Sequence, residues 1–251
     1  MSLIARKVVL PALAVAGIAL LTPAMYRDYR IFMSYGPGGI PYNILGWFAS
    51  NVVLGPFGKE MLSTEIYDRH IQAGHRTSHL SSVPVKARER PVVGPHAVPQ
   101  RQLTEFPNGS IKEKLIQEFV AFVARNPHLV RMANSGLELH ADALFVAETL
   151  PEGPTLQETN GEIAHIHRLK DSSVHVTLAP ADCKKVIESG WGQRHALSGV
   201  SVPRALTLGR KIALPAEYVL IYAPRTEEEV AFVMEVIGAS VKYMTGSDGV
   251  N

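Results

Sequence analysis

Histidines are the residues of this chain with the clearest capacity for chemistry. Six of its ten histidines lie between His128 and His195. Near neutral pH an imidazole can accept a proton, donate a hydrogen bond or bind a metal ion. The one cysteine, Cys183, excludes an intrachain disulfide framework and a cysteine-based zinc finger. Any metal site within one chain would therefore have to use histidine and carboxylate ligands.

Two short segments, Ile163 to His167 and Val174 to Leu178, alternate apolar and polar residues as β-strands do. Successive side chains of a strand point to opposite faces, so the apolar residues should face the core and the polar residues the other side. The polar positions of the two strands are His165, His167, His175 and Thr177. If the strands pair as a hairpin, we expect the three imidazoles to share one surface.

A third segment with this alternation, Leu137 to Ala143, has Glu138 and His140 on its polar side. Two interpretations of the polar faces are open. They are ordinary solvated sheet surfaces whose histidines make hydrogen bonds, or they hold a metal ion. The ligands in the metal interpretation would be His165, His167 and His175, with His140 or Glu138 in addition.

The sequence Gly190-Trp191-Gly192-Gln193-Arg194-His195 is a second candidate binding site. Trp191 offers a flat apolar wall, while Arg194 and His195 place a fixed cation beside a titratable ring. The alternative is a helix C-cap followed by a surface loop with a packing tryptophan. The sequence has no glycine-rich phosphate loop, nucleophile elbow or HExxH motif, so nucleotide-dependent and zinc-protease chemistry lacks support.

The elements that must position these residues predict an α+β fold. A capping-box pattern at Ser110 to Glu113 precedes an amphipathic helix that Asn126-Pro127 should end. A second helix is predicted from Pro180 to Ser189, and a third should begin at Thr226. With a further strand over Tyr218 to Tyr222, we expect a two-layer domain of mainly antiparallel sheet and packed helices.

The N-terminal region indicates contact with a membrane. The uncharged run from Val8 to Met25 is long enough to span a bilayer, which predicts a transmembrane helix. A cleaved signal peptide is the alternative, because Thr22-Pro23-Ala24 suits a cleavage site. The shorter segment Tyr42 to Leu54 should lie on the membrane surface or cover the domain. We expect a single-pass protein of the endoplasmic reticulum membrane, in contact with lipid.

These features divide the chain into four parts. Residues 1–26 are predicted as the anchor, 27–69 as a membrane-proximal segment, 70–107 as an irregular wrapping loop or linker, and 108–251 as the α+β domain. With 46% apolar and 19% charged residues, 251 residues can form one sizeable domain. The formal net charge of +2 predicts no nucleic-acid surface, and composition carries no information on the oligomeric state.

Several motifs together resemble the fungal luciferase family. They are Arg27-Asp28-Tyr29, Ile66-Tyr67-Asp68-Arg69, Glu162-Ile163-Ala164-His165-Ile166-His167, Gly190 to His195, and Tyr222-Ala223-Pro224-Arg225. The resemblance covers nearly the whole chain. Its most specific motifs lie in the C-terminal part.

Members of this family are membrane-associated proteins that oxidise a hydroxylated styrylpyrone, 3-hydroxyhispidin, with molecular oxygen. The resemblance implies an oxygenase with a small aromatic enol as substrate, O2 as co-substrate, and no metal or other cofactor. It implies His165 or His167 as the base, Arg194 as the stabiliser of negative charge and Trp191 as a pocket wall. The residues implied to orient these groups or to contact the substrate are His175, His195, Glu162, Gln193, Thr177 and His140.

Two segments, 70–107 and 201–215, depart from the family pattern. If they wall the pocket, the substrate should differ from the family's luciferin, and light emission does not follow from the resemblance. Two other hypotheses stay open at this point. One is a histidine-ligated metal-dependent oxygenase or hydrolase, and the other is a membrane-tethered binding protein that kept the fold without the reaction.

Overall fold

The computed structural model describes residues 22–148, 154–209 and 211–251. Its first helix, α1, covers residues 22–34. The later helices are α2 Ile44–Phe48, which continues as a π-helix over Ala49–Leu54, α3 Glu65–Gln72, α4 Gly109–Arg125, α5 Pro154–Thr159, α6 Pro180–Glu188 and α7 Glu227–Thr245. The strands are β1 Val130–Asn134, β2 Asp142–Val146, β3 Glu162–Ile166, β4 Val174–Thr177, β5 Gly192–Arg194, β6 Ser201–Val202, β7 Ile212–Ala213 and β8 Tyr218–Ile221.

Six of these strands form one sheet in the order β1-β2-β3-β4-β8-β5, and every neighbouring pair is antiparallel. Strands β6 and β7 form a separate two-stranded ribbon. The predicted α+β fold with an antiparallel sheet and packed helices is therefore confirmed.

The main core lies between one face of the sheet and the helices α4 and α7. Alternating residues of the central strands are buried there because their side chains are apolar. Those side chains include Ala164, Ile166, Val174, Val176, Val219 and Ile221. The hydroxyl of Ser240, in α7, donates to the backbone oxygen of Thr177 at 2.7 Å and ties the helix to β4. The helical layer leaves the opposite, histidine-bearing face of the sheet to be covered by other parts of the chain.

Irregular segments cover that opposite face. From residue 73 to residue 108 the chain has no helix or strand, yet Ala97, Gln100, Arg101 and Gln102 are buried. Backbone bonds between Gly94 and Arg101, and between Val92 and Leu103, hold this part in a folded loop. The segment is thus an ordered cover on the sheet.

The helix starts follow side-chain caps. Thr226 accepts a hydrogen bond from the Glu229 N–H at 3.2 Å, as the sequence predicts. For α4 the predicted start at Ser110 is wrong by a short distance, because Asn108 is the cap and accepts from the Ile111 N–H at 2.9 Å. An Asn side chain caps as well as Ser, so the earlier residue with a suitable backbone conformation is used.

The predicted strand over Leu137 to Ala143 is also wrong. Its first residues form a turn in which Leu139 has a φ of 67°, and β2 begins only at Asp142. The Ser135 hydroxyl accepts from the Glu138 N–H at 2.8 Å, which satisfies a donor that a strand would have used. This local bond outweighs the alternation of residue types.

No helix within the described residues combines the length and apolar character that crossing a bilayer requires. Most of the predicted anchor, from Val8 to Leu21, lies outside the described residues. Its last four residues, 22–25, belong to α1. Four side chains of α2 and its π-helical continuation are exposed, namely Ile44, Leu45, Phe48 and Val52, while Gly46, Ser50 and Leu54 of the same segment are buried.

The packing of Trp191 generates a stability prediction. Its ring lies 4.3 Å from that of Phe232, and its Nε1 donates to the Pro84 oxygen at 2.6 Å. Trp191→Ala should lower the free energy of unfolding by roughly 3–5 kcal/mol, through lost contacts and the cavity left behind. Phe48→Ala, at an aromatic residue that is 52% exposed, is the control and should change stability little. Equal shifts in denaturant or thermal melts would contradict the packing described.

Candidate active site

Four imidazoles are buried together on the sheet face opposite the helices. His165 in β3 pairs directly with His175 in β4, and His167 follows at the end of β3. The ring centroids of these three lie 4.9 to 5.2 Å apart, and His195 lies 5.5 Å from His175. Each ring is 5% exposed or less. The face is not a solvated surface, so each ring nitrogen needs a partner or a ligand.

A bulge in β3 brings Glu162 to the same face as His165. The pairing of β2 with β3 shifts register between Leu144 and Phe145, so that Phe145 lies opposite Glu162. Simple alternation would send Glu162 to the helix side. The extra residue between Glu162 and Ala164 reverses that direction, so Glu162 points to the histidine face. The Glu162 carboxylate accepts from the Nδ1–H of His165 at 2.6 Å. It also accepts from the Ser135 hydroxyl at 2.8 Å and the Gly136 N–H at 2.9 Å.

The bond to Glu162 fixes which nitrogen of His165 is the acceptor. A carboxylate can only accept, so the proton of the neutral ring is on Nδ1 and the lone pair is on Nε2. That Nε2 is buried and has no hydrogen-bond partner among the described residues. A base needs this arrangement, with one nitrogen oriented and the other free.

The His167 ring is held from both sides. Its Nδ1 donates to the Ser173 hydroxyl at 2.9 Å, and Ser173 in turn donates to Asp171 at 3.0 Å. Its Nε2 accepts from an Nη1–H of Arg101 at 3.1 Å. Burial and the guanidinium lower the pKa of His167 well below its ordinary value, so the ring is neutral.

Burial also keeps His175 and His195 neutral, but the two rings use their Nδ1 atoms differently. Burial lowers the pKa of His175 well below its ordinary value, and its Nδ1 donates to the Val219 oxygen at 3.3 Å. Burial lowers the pKa of His195 to about 3. The Nδ1 of His195 accepts from the Leu197 N–H at 3.0 Å, so its proton is on Nε2. His195 therefore offers a donor where His165 offers an acceptor.

Arg101 supplies the cation of the site. Its guanidinium forms an ion pair with Glu138 and donates to the oxygens of Gln100 and Pro37 at 3.0 and 3.3 Å, besides His167. Gly38 makes room for this cluster, because a Cβ there would lie 2.3 Å from Arg101 Nη2. Arg101 is not among the site residues that the sequence predicts. No local signal marks it, since only the tertiary fold brings residue 101 to β3.

Buried carboxyl groups surround the cation. Desolvation raises the pKa of Glu138 and of Asp171, and in each case Arg101 opposes that rise. Tyr218 stacks on His175 with ring centroids 4.7 Å apart, and burial raises the pKa of its hydroxyl well above the ordinary value. The phenol is therefore protonated and can act as a donor.

A cavity of about 400 Å³ opens above these groups. Its size falls in the range of small-molecule sites. The charged and polar side chains on its wall include His165, His175, His195, Tyr218, Arg101 and Glu138. The segments 98–101 and 211–214 also line it.

The remaining candidate residues lie elsewhere. Arg194 donates to the Ser198 oxygen at 2.9 Å, and Gln193 accepts from the Tyr222 hydroxyl at 3.0 Å, so both are engaged outside the cavity wall. Trp191 packs in the helical layer. Thr177 is buried away from the cavity wall, and His140 is an exposed residue of the turn before β2.

The arrangement combines an acceptor, several donors and a cation along one cavity. It can remove a proton at His165 and stabilise the resulting negative charge with Arg101, His195 and Tyr218. It could also hold a metal ion. One ring nitrogen from each of His165, His167 and His175 lies within 4.8 Å of the other two.

Comparisons with known proteins identify the family. A family profile described as "Luciferase domain" matches residues 160–240, which include β3, β4 and β8. The chain is 37% identical over 244 residues to a protein named Luciferase from Armillaria gallica, covering 93% of this chain and 86% of that one. It is 32% identical over 250 residues to Luciferase from Neonothopanus nambi, covering 96% and 88% of the two chains.

No solved structure matches the chain. The similarity to the named relatives extends over 93–96% of this chain and 86–88% of theirs. The chain belongs to the fungal luciferase family.

Proposed function

We propose that this protein is a luciferase-like oxygenase that oxidises a hydroxylated 2-pyrone, or a similar aromatic enol, with O2 and without a metal or organic cofactor. One observation carries the proposal. The Nε2 of His165, oriented by Glu162, is a buried acceptor without a partner in the described part of the chain, and its ring lines the cavity. Family membership adds support, because the relatives are named Luciferase.

The first step is removal of the enol proton by His165 Nε2. The Glu162 carboxylate stabilises the imidazolium that forms, since it already accepts the Nδ1–H at 2.6 Å. Loss of the proton leaves negative charge on the substrate oxygen and the adjacent ring carbon. Arg101, the Nε2–H of His195 and the Tyr218 hydroxyl are the groups on the cavity wall that can bind this charge.

The enolate then reacts with O2, and the substrate supplies all the electrons. Its nucleophilic carbon forms a bond to one oxygen atom, which gives a peroxide anion. The peroxide displaces the ring oxygen from the lactone carbonyl, and that ring oxygen takes back the proton from His165. The O–O bond then breaks together with the bond between the carbon that reacted with O2 and the adjacent carbon of the former lactone carbonyl. The former carbonyl carbon leaves as CO2, and the other carbon becomes a new carbonyl. No external oxidant or reductant is needed besides O2.

The substrate should differ from 3-hydroxyhispidin. Residues 98–101 and 211–214 form part of the cavity wall. Both lie in the segments, 70–107 and 201–215, for which the sequence predicts a departure from the family pattern. Side chains on a wall decide which substituents fit, so a change there alters substrate choice before it alters chemistry. We therefore propose an aromatic enol of the same reactive class with different substituents.

Replacing the base tests this function. His165→Ala should reduce pyrone-dependent oxygen uptake by roughly 10²- to 10⁴-fold, the usual contribution of a general base. His128→Ala is the matched control, because His128 is exposed and bonds to the Gly249 oxygen at 3.3 Å. Oxygen uptake, released CO2 and circular dichroism would be measured for both proteins after treatment with a chelator.

Three results would count against the proposal. Full activity of His165→Ala would remove β3 from the mechanism. Activity that chelation abolishes and a divalent ion restores would favour the metal-dependent alternative. No oxygen uptake by the wild-type protein over a panel of hydroxylated pyrones would favour a binding protein.

We further propose that the enzyme works at a membrane surface. The exposed apolar side chains Ile44, Leu45, Phe48 and Val52 follow helical spacing and share one side of their segment. Such a face suits the boundary between lipid headgroups and acyl chains. The uncharged run from Val8 to Met25 precedes it in the sequence and supports the same location.

The membrane proposal predicts the behaviour of the full-length protein in alkaline carbonate. It should stay in the membrane pellet, because carbonate removes proteins held only by charge. Changing both Leu45 and Phe48 to Ser in a chain that begins at Arg27 should release more of it than the same truncation alone. Release of the unmodified full-length protein by carbonate would contradict the proposal.

A further inference from the structure

We propose that His165, His167 and His175 form a binding site for one divalent transition-metal ion, and that filling this site inhibits the oxygenase. The binding itself follows from the geometry of the three rings. The inhibition rests on the function proposed above, because the ion would take the lone pair that His165 uses as a base.

The three rings are turned so that the same nitrogen of each, Nδ1, is held by a supporting group. Their Nδ1 atoms are occupied by Glu162, Ser173 and the Val219 oxygen, at 2.6, 2.9 and 3.3 Å. The Nε2 atoms are therefore the ones that can act as ligands. A ring nitrogen from each histidine lies within 4.8 Å of the other two, and all three rings are 3% exposed or less.

The partners of the Nδ1 atoms are those found behind metal-bound histidines. A ligating imidazole usually donates its other N–H to a carboxylate, a backbone oxygen or a hydroxyl, which fixes the tautomer and the orientation of the ring. Here one ring donates to a carboxylate, one to a hydroxyl that donates onward to Asp171, and one to a backbone oxygen. The buried Nε2 of His165, without a partner in the described chain, points to a missing ligand independently of the distances.

The charges around the rings also favour a cation. Three carboxyl groups contact the cluster or its partners, those of Glu138, Glu162 and Asp171. Arg101 is the guanidinium that contacts it, through His167 Nε2. When the carboxyl groups are ionised, three negative charges face one positive charge, and a divalent ion would balance the remainder.

The donor set selects the class of ion. Three imidazole nitrogens without a thiolate suit Zn²⁺, Co²⁺, Ni²⁺ or Cu²⁺, whereas Mg²⁺ and Ca²⁺ require oxygen ligands. Cys183 is engaged with the backbone oxygens of Leu178 and Glu217, so it is not a ligand of this cluster.

Binding would require two local changes. Zn–N bonds are about 2.0–2.1 Å long, so the rings must adjust until all three nitrogens lie at that distance from the ion. Arg101 must also leave His167 Nε2, which it now occupies at 3.1 Å. Arg101 therefore competes with the ion for the third ligand, and its removal should strengthen binding.

Titration of the full-length, chelator-treated protein tests the site directly. Co²⁺ should give visible absorption bands typical of nitrogen coordination, and Zn²⁺ should displace it at one ion per chain. His165→Gln, His167→Gln and His175→Gln should each weaken binding by at least roughly 100-fold, because losing a ligand costs no less than losing its supporting partner. His128→Gln should bind as the wild type does, and Arg101→Met should bind more tightly.

Circular dichroism of each variant separates lost ligands from lost folding. If a glutamine variant is unfolded, two other results test the site. They are tighter binding by Arg101→Met and a Co²⁺ spectrum of the wild type that shows nitrogen coordination. Absence of Co²⁺ and Zn²⁺ binding by the wild type would overturn the site. Binding that survives in all three glutamine variants would also overturn it, because the ion would then lie elsewhere.

Oxygen uptake decides the second half of the proposal. Added Zn²⁺ should inhibit at the concentration that fills the site in the titration, and a chelator should restore the rate. Binding without inhibition would overturn the inhibitory role but keep the site. Activity found only in metal-loaded protein would keep the site, but it would overturn both the inhibition and the metal-free function. Absence of activity in both forms would overturn the inhibition together with the proposed function.

Discussion

The hydrogen bond between Glu162 and His165 is the interaction on which the proposed chemistry depends. Removing an imidazole from water is costly unless its polar atoms are satisfied, and here the carboxylate satisfies only Nδ1. The other nitrogen keeps its lone pair without a partner. Because Ser135 and Gly136 hold the carboxylate in turn, the ring has little freedom to rotate or to change tautomer. The active nitrogen is thus prepared before a substrate arrives.

The rest of the fold keeps these side chains buried. The helices pack on the apolar face of the sheet, while the irregular segment that carries Arg101 covers the polar face. A cover of this kind excludes water and strengthens every electrostatic interaction beneath it. It also brings a cation that no neighbouring strand provides. Imidazole rings and glycines line the cavity between the cover and the sheet. One of these glycines, Gly38, also makes room for the cation, because a larger side chain there would collide with Arg101.

Part of this site could be predicted from the sequence. Strand alternation correctly predicted that His165, His167 and His175 share one face, because side-chain direction in a regular strand depends only on local geometry. It could not predict that the bulge turns Glu162 to that face, since a bulge depends on pairing with another strand. Arg101 and Glu138 reach the cluster only through tertiary contacts.

The sequence also indicated residues that the fold uses otherwise. Trp191 and Arg194 belong to a motif with the composition of a binding loop, but the motif forms the edge strand β5. Trp191, just before this strand, packs against a helix, and Arg194, at its end, bonds to a nearby backbone oxygen. Composition describes what a segment could do, whereas its place in the sheet decides which face each side chain reaches.

The rate of oxygen uptake by Glu162→Gln protein, freed of metal ions, tests the central claim most directly. An amide is almost the same size as the carboxylate, but it can donate to Nδ1 and so favour the tautomer in which Nε2 is protonated. The account predicts a fall in kcat of roughly 10²- to 10⁴-fold with an intact fold and little change in KM, as expected when a base adopts the wrong tautomer. A kcat equal to that of the wild-type protein would contradict it.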